Sequence, residues 1–314
     1  MIGLPDVEAA RERIGAWVRR TPVLPFSQLK DPPATDTRIT LKLECLQVTG
    51  SFKARGAMNR LLGGEGGVPA AGIVTASGGN HGLAVARTAH VAGVPAKIFV
   101  PENVSPEKVT KMRGWNADVE IVGKVWDVSN RAAHAYAEKT GAAYFHPFAD
   151  PLVVAGQGTL GLEILDDLPD MDAILVAIGG GGLIAGTATA IRAKRPEVRI
   201  IGIEPVGSPT LKASLDAGEV VTLPKVMTRV PTMACARTDE RIFEAVRDYV
   251  DDIVLVSDEE MLDASRRLWF ECGVAADLSG AASLAALPRL APLLEGARHV
   301  CALVCGAGLE GASG

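Results

Sequence analysis

The sequence predicts an α/β protein with two domains, each an open parallel sheet with flanking helices. Three observations predict it. Short apolar runs alternate with helical stretches along the whole chain. Most of those runs lack the alternation of a half-wet strand, as strands buried on both faces do. The strand–helix units of this 314-residue chain are too many for one compact sheet of ordinary size.

The elements follow in order. Residues 6–18 read as a helix, with Val7, Ala10, Ile14, Trp17 and Val18 on one face. Ile39, Leu41, Leu43 and Cys45 alternate with polar residues, as in a strand with one wet face. Gly72 to Ala76 reads as a buried strand, leading through Ser77-Gly78-Gly79 into a helix that begins near Asn80. Ala96 to Val100 is a short strand stopped by Pro101, and Asp118 to Val122 is another. Ala173–Ile178, Arg199–Ile203, Asp252–Val256 and His299–Val304 complete the set. The stretch from Ala173 to Ala190 is nearly free of polar side chains over about 18 positions, close to the length of a spanning helix. Four consecutive glycines in its middle, each costing about 1 kcal/mol in a helix interior, make it a strand, a turn and a helix instead. Gly63-Gly64-Glu65-Gly66-Gly67 and His146-Pro147-Phe148 are the expected crossings between domains. They assign residues 1–65 and 149–314 to a large domain and 66–148 to a small, mobile one inserted between them.

Composition excludes several classes of function. Hydrophobic residues make up 48% and charged ones 22%, which is the balance of a folded chain with a sizeable core. A net charge of −5 argues against a nucleic-acid partner, because phosphate contacts need clustered Lys and Arg. The four tryptophans lie in apolar segments without interleaved basic residues, so they do not form base-stacking platforms. The five cysteines, Cys45, Cys235, Cys272, Cys301 and Cys305, show no CxxC spacing and point to a reduced, intracellular setting. Met1 to Arg20 lacks the apolar stretch of a signal peptide, and no membrane span is expected.

Two segments carry chemistry. Lys53 stands in Thr49-Gly50-Ser51-Phe52-Lys53-Ala54-Arg55-Gly56-Ala57, at an expected turn into a helix. An amine held there, if neutral at working pH, forms a Schiff base with an aldehyde. Gly179-Gly180-Gly181-Gly182-Leu183 follows an apolar strand and opens a helix, so its backbone N–H groups can converge on a phosphate. No lysine follows as in a nucleoside-triphosphate loop. An amine and a phosphate cradle together point to a phosphorylated aldehyde, pyridoxal phosphate. A second strand-to-helix turn, Ser77-Gly78-Gly79-Asn80-His81-Gly82, offers donors suited to a carboxylate, and Asn80 can both donate and accept.

These segments resemble the threonine/serine dehydratase and serine racemase group, of fold type II among the pyridoxal-phosphate enzymes. Lys42-Leu43-Glu44, Gln47 and Thr49 to Ala57 resemble the group's lysine signature. Ser77 to His81, His146-Pro147-Phe148, Ala155 to Thr159, Gly179 to Leu183, Glu204-Pro205 and Cys305-Gly306 follow in the group's order. The resemblance implies pyridoxal 5′-phosphate on Lys53, with Phe52 beside the ring and Asn80 on its 3-oxygen. It places Gly179, Gly180, Gly181, Gly182 and Leu183 on the phosphate, and Cys305 opposite the pyridine nitrogen. Ser77, Gly78, Gly79, Asn80 and His81 would bind the substrate carboxylate. A thiol is a weak partner for that nitrogen, so the ring stays largely neutral and loss of a β-leaving group is favoured. The implied reaction is β-elimination from L-threonine or L-serine to a 2-oxo acid and ammonia, by a cytoplasmic homodimer.

Departures from the pattern bear on specificity. Racemases of the group carry a serine where this chain has Gly78, which argues for elimination over isomerisation. Glu204 matches a position of the group's divalent-cation site, but Val206 to Thr210 supply no second acid, so a divalent or monovalent cation stays open. Ala234-Cys235-Ala236 replaces Ala-Asp-Gly, Asp277-Leu278 replaces Glu-Pro, and Gly308 stands where asparagine is frequent. These changes leave open a bulkier β-hydroxy amino acid such as phenylserine or hydroxyaspartate. Ala54 after the lysine, rather than Asp, separates the chain from β-replacement synthases.

Overall fold

Ten strands fall into two sheets among the described residues of the computed structural model, which are 2–31, 37–290 and 292–312. In the six-stranded sheet the order is β1 (Val23–Pro25), β2 (Arg38–Lys42), β10 (His299–Leu303), β7 (Ala173–Ala177), β8 (Arg199–Pro205) and β9 (Asp252–Val256). All its pairings are parallel except that of the edge strand β1 with β2. The four-stranded sheet, ordered β5 (Asp118–Ile121), β4 (Ala96–Val100), β3 (Ile73–Ala76) and β6 (Ala143–Tyr144), is parallel throughout. Its strands interrupt those of the larger sheet in the chain. Parallel pairing demands a helical crossover at each step, which is why helices separate nearly every pair of strands.

Each functional turn opens a helix. Lys53 begins α2 (Lys53–Gly63), Asn80 begins α3 (Asn80–Ala92), and Gly182 begins α7 (Gly182–Lys194). Asp150 caps α6 (Pro151–Asp167) by accepting from Leu152 N at 2.8 Å, with Pro151 in the first turn, where its missing N–H costs nothing. Asp277 caps α11 (Leu278–Ala286) by accepting from Gly280 N at 2.6 Å. The first helix, α1, spans Leu4–Ile14 rather than 6–18. Gly15 ends it, and Trp17 lies beyond on a turn, half-exposed.

Beyond the exposed Arg38, the expected wet face of β2 is not wet. Thr40 and Lys42 are buried, and Leu43 and Cys45 lie past the strand's end, Cys45 on a short 3₁₀ turn (Glu44–Leu46). The polar face turns inward onto ions. Lys42 Nζ donates at 2.7 Å to Glu163 and to Asp167, both on α6. Arg55, on α2, donates from Nε and Nη2 to the two carboxylate oxygens of Glu44 at 2.6 and 2.9 Å, and from Nη2 to Glu163 at 2.9 Å. Burial works against the charge on Arg55, and the attraction of Glu44 and Glu163 overcomes it, holding its pKa above the usual value. Alternation of polar and apolar residues identified the strand, but could not distinguish water from buried counter-ions.

Candidate active site

Lys53 lies where the two sheets meet. The segment before it runs antiparallel to the segment after β10. Ser51 bridges Gly306, Phe52 N donates to Cys305 O at 3.2 Å, and Ala307 N donates to Gly50 O at 2.8 Å. That pairing sets Lys53 at the head of α2 close to Cys305. Lys53 is half-buried, and its Nζ donates to the Pro147 carbonyl at 2.6 Å. The amine sits 5.1 Å from the centre of the Phe52 ring. Burial pushes its pKa down to about 8, against the opposite influence of Cys305 and Cys235. The group is therefore poised to hold or release a proton near neutrality.

The glycine run has the form of an anion cradle. Among the described residues, the backbone N–H groups of Gly179, Gly180, Gly181, Gly182 and Leu183 have no hydrogen-bond acceptor. Buried donors without partners are costly, so an acceptor from outside the chain is the natural complement. Side chains are excluded by contact. A Cβ on Gly180 would lie 2.2 Å from Phe148 Cδ1, one on Gly179 2.6 Å from Thr232 O, and one on Gly182 2.6 Å from Phe148 O. Gly181 adopts φ +92°, a left-handed conformation that costs glycine nothing.

The second turn is also short of acceptors. Ser77 N donates to Phe99 O and Gly79 N to Ser77 Oγ, while the N–H groups of Gly78, Asn80 and His81 find no acceptor among the described residues. Thr232 links the two turns: its carbonyl abuts Gly179, and its Cγ2 lies 3.5 Å from the Cβ position of Gly79. Asn80 Nδ2 donates to Asp277 Oδ2 at 2.9 Å. The His81 side chain points into the four-stranded unit, where Nε2 donates to Phe145 O at 3.1 Å and Nδ1 has no partner. Burial, reinforced by Lys53, pushes its pKa down to about 3, so the ring is neutral.

Cys305 follows β10 and is buried, its Sγ donating to Ser279 O at 3.4 Å. Burial raises its pKa well above the usual thiol range, so it remains a neutral thiol. Cys235 Sγ donates to Arg237 O at 3.1 Å, and burial pushes its pKa up to about 11.

Glu204, the candidate cation ligand, holds the start of a helix. Fully buried at the end of β8, it accepts from Leu211 N at 2.8 Å and Lys212 N at 2.9 Å, closing the first turn of α8 (Thr210–Ala217). Burial pushes its pKa up to about 7. Among the described residues no group of three or more His, Cys, Asp or Glu is arranged to hold a metal ion.

Residue type and spacing give no site role to Pro147, Phe148 or Thr232. His146-Pro147-Phe148 is legible as a crossing and as a segment in the group's order, but a carbonyl that holds an amine leaves no trace in residue type. Two surface cavities lie away from this chemistry, one of about 270 Å³ along α1 and α6, the other of about 300 Å³ beside Trp17. Neither is lined by Lys53 or by either turn.

An amine of lowered pKa, a five-residue cradle of unpaired amides and a neutral thiol fit an aldehyde that carries a phosphate and a weakly basic ring. Known proteins agree. An L-threonine ammonia-lyase of Geobacter sulfurreducens is 43% identical over 90% of this chain and 69% of its own length. A phenylserine dehydratase of Ralstonia pickettii is 34% identical over 99% of this chain and 95% of its own. The structure of maize serine racemase superposes with a TM-score of 0.90 at 31% identity, covering 97% of this chain and 93% of that one. The family model described as "Pyridoxal-phosphate dependent enzyme" matches residues 14–306, and the chain belongs to that family.

Proposed function

We propose that the protein eliminates the β-hydroxyl of L-threonine or L-serine and releases a 2-oxo acid and ammonia. The observation that carries this reading is a single ionisable amine, Lys53, between two turns of unpaired amides. In it, the glycine turn takes the phosphate and the Ser77–His81 turn takes the substrate carboxylate. Phe148 roofs the glycine turn, and Phe52 would flank the ring of the bound cofactor. Pyridoxal phosphate, when bound, supplies the electron sink that acidifies the substrate α-carbon. Lys53 Nζ then takes the α-proton as general base. Loss of that proton and of the β-hydroxyl removes one water and leaves an enamine, which water converts to the 2-oxo acid and ammonia. The neutral Cys305 thiol, set beside a bound cofactor's ring nitrogen, would leave that nitrogen uncharged and so favour prompt loss of the β-group.

Gly78 speaks for elimination over racemisation. It has no side chain to return a proton, and a Cβ there would lie 2.9 Å from Val104 Cγ2, so Val104 fills the space a serine would need. We read residues 66–148 as a small mobile domain inserted into a large one of 1–65 and 149–314, which the two separate sheets support. Positions 1, 32–36, 291, 313 and 314 of those ranges lie outside the described residues. A cytoplasmic homodimer completes the proposal.

The test is a panel of β-hydroxy amino acids, with detection of 2-oxo acids and chiral analysis of recovered substrate. Turnover of L-threonine or L-serine without D-isomer is expected. Accumulation of D-serine without 2-oxo acid would sink the elimination reading.

A further inference from the structure

Asp277 performs two tasks with its two carboxylate oxygens. Oδ1 is occupied by its own helix, accepting from Ser279 Oγ at 2.7 Å and Gly280 N at 2.6 Å as the cap of α11. Oδ2 points the other way and accepts from Asn80 Nδ2 at 2.9 Å, across 197 residues of sequence. Asn80 is the first residue of α3, which packs on the four-stranded sheet. Asp277 begins the helix that packs under β7 and β10 of the six-stranded sheet. One buried carboxylate therefore ties a turn of one sheet's layer to a turn of the other's.

The surrounding backbone leaves room for this carboxylate. A Cβ on Gly306 would lie 2.7 Å from Asp277 Oδ2 and 2.9 Å from Asn80 Nδ2, wedging the pair apart. A Cβ on Gly308 would lie 2.6 Å from Asp277 Cβ, and one on Gly280 2.2 Å from Gly306 O. Asp277 N donates to Gly306 O at 3.0 Å, so the backbone beside Cys305 is part of the same arrangement. Two departures noted in the sequence, Asp277 for Glu and Gly308 for Asn, thus touch each other. A glutamate would push its carboxylate one methylene further, onto Asn80 or Gly306.

We propose that Asp277 is a positioning residue that latches the opening turn of α3 to that of α11 through Asn80. The latch sets where the Gly78, Asn80 and His81 amides stand relative to Lys53. It also orients the Asn80 side chain, since giving one Nδ2–H to Asp277 leaves the carbonyl and the other N–H to face the site. Only the kinetic consequence rests on the elimination reading, because the latch itself is a property of the chain.

The test compares the full chain with Asp277→Asn, Asn80→Ala and the double variant. Asp277→Asn keeps a carbonyl to cap α11 but sets an NH₂ against the Asn80 amide. Asn80→Ala removes the partner and leaves the cap intact. In the cofactor-free protein, both single variants should speed amide exchange at residues 83–86, the first hydrogen-bonded amides of α3, by about tenfold, with α11 unchanged, as loss of one hydrogen bond to a charged group does. The double variant should exchange no faster than either single one. In the cofactor-loaded protein, Asp277→Asn should raise KM for L-threonine about tenfold and change kcat less than about twofold. Unchanged exchange at 83–86, additive effects in the double variant, or acceleration confined to α11 would each overturn the latch. If the wild type made no 2-oxo acid from any substrate, the proposed reaction would fail while the exchange result still decided the latch.

Discussion

Lys53 shows how far one residue's setting defines its chemistry. In the unfolded chain its amine keeps its proton up to a pKa of 10.5, and in the folded chain only up to about 8. Folding therefore releases a proton between those values. The cofactor-free protein should gain stability as pH rises from 8 to 10.5, and bear the full cost of the buried charge below 8. The same shift governs cofactor capture. The rate at which the apo-protein takes up pyridoxal phosphate, followed by absorbance, should climb with pH around a midpoint near 8. A midpoint above 10 would mean an ordinary exposed lysine. Lys53→Ala should abolish the band and lower any turnover by about 10²–10⁴-fold, the usual contribution of a positioned base. Residue type alone announced this lysine, since few motifs place an amine after Gly-Ser-Phe at a helix start. It did not announce that a carbonyl, Pro147 O, holds the amine.

At the scale of elements, strand-to-helix turns were the most legible part of the chain. Glycine runs after apolar strands have few other readings, and the three helices expected from them begin within two residues of the glycines or the lysine. The roof over the glycine turn was not legible, because Phe148 reaches it from another element. Gly180→Ala tests that roof. Its methyl would collide with the Phe148 ring, and displacing the ring should weaken pyridoxal-phosphate affinity about tenfold or more, at the 1–3 kcal/mol typical of overpacking. Titration of the apo-protein measures it, and unaltered affinity would show that Phe148 moves aside freely. Polar strand faces were the least legible. Lys42 and Thr40 read as solvent-facing because alternation records which side a residue takes, not what waits there. The carboxylate partners of Lys42 lie on α6, more than a hundred residues on, and no local pattern encodes that distance.

For the whole molecule, two neutral histidines near the junction of the sheets set an acid limit. Burial pushes His81 to about 3 and His146 to about 4, while in the unfolded chain each takes up its proton near 6.5. Their contribution is fully present above pH 6.5 and is lost as pH falls toward their folded values. Each histidine removes up to about 1.4 kcal/mol of stability per pH unit across that window. Urea midpoints measured between pH 7 and pH 4.5 should fall steeply, and His146→Phe should flatten part of the slope. A flat profile would mean that the two rings are hydrated.

The strand order has a consequence in time as well as in space. β10 lies between β2 and β7, so the earliest and the later strands of the six-stranded sheet join only through the last one. On a ribosome, β3 to β6 can pair soon after they emerge, whereas β2, already beside β1, waits for its second partner more than 250 residues downstream. Contacts of such separation form slowly, because the chain must close a long loop before it gains them. Until then the edges of β2 and β7 are bare and prone to foreign pairing. Cys305 and Gly306 arrive directly behind β10, so the lysine can acquire its surroundings only once β10 has been made. A nascent chain thus carries its amine long before that amine can do chemistry.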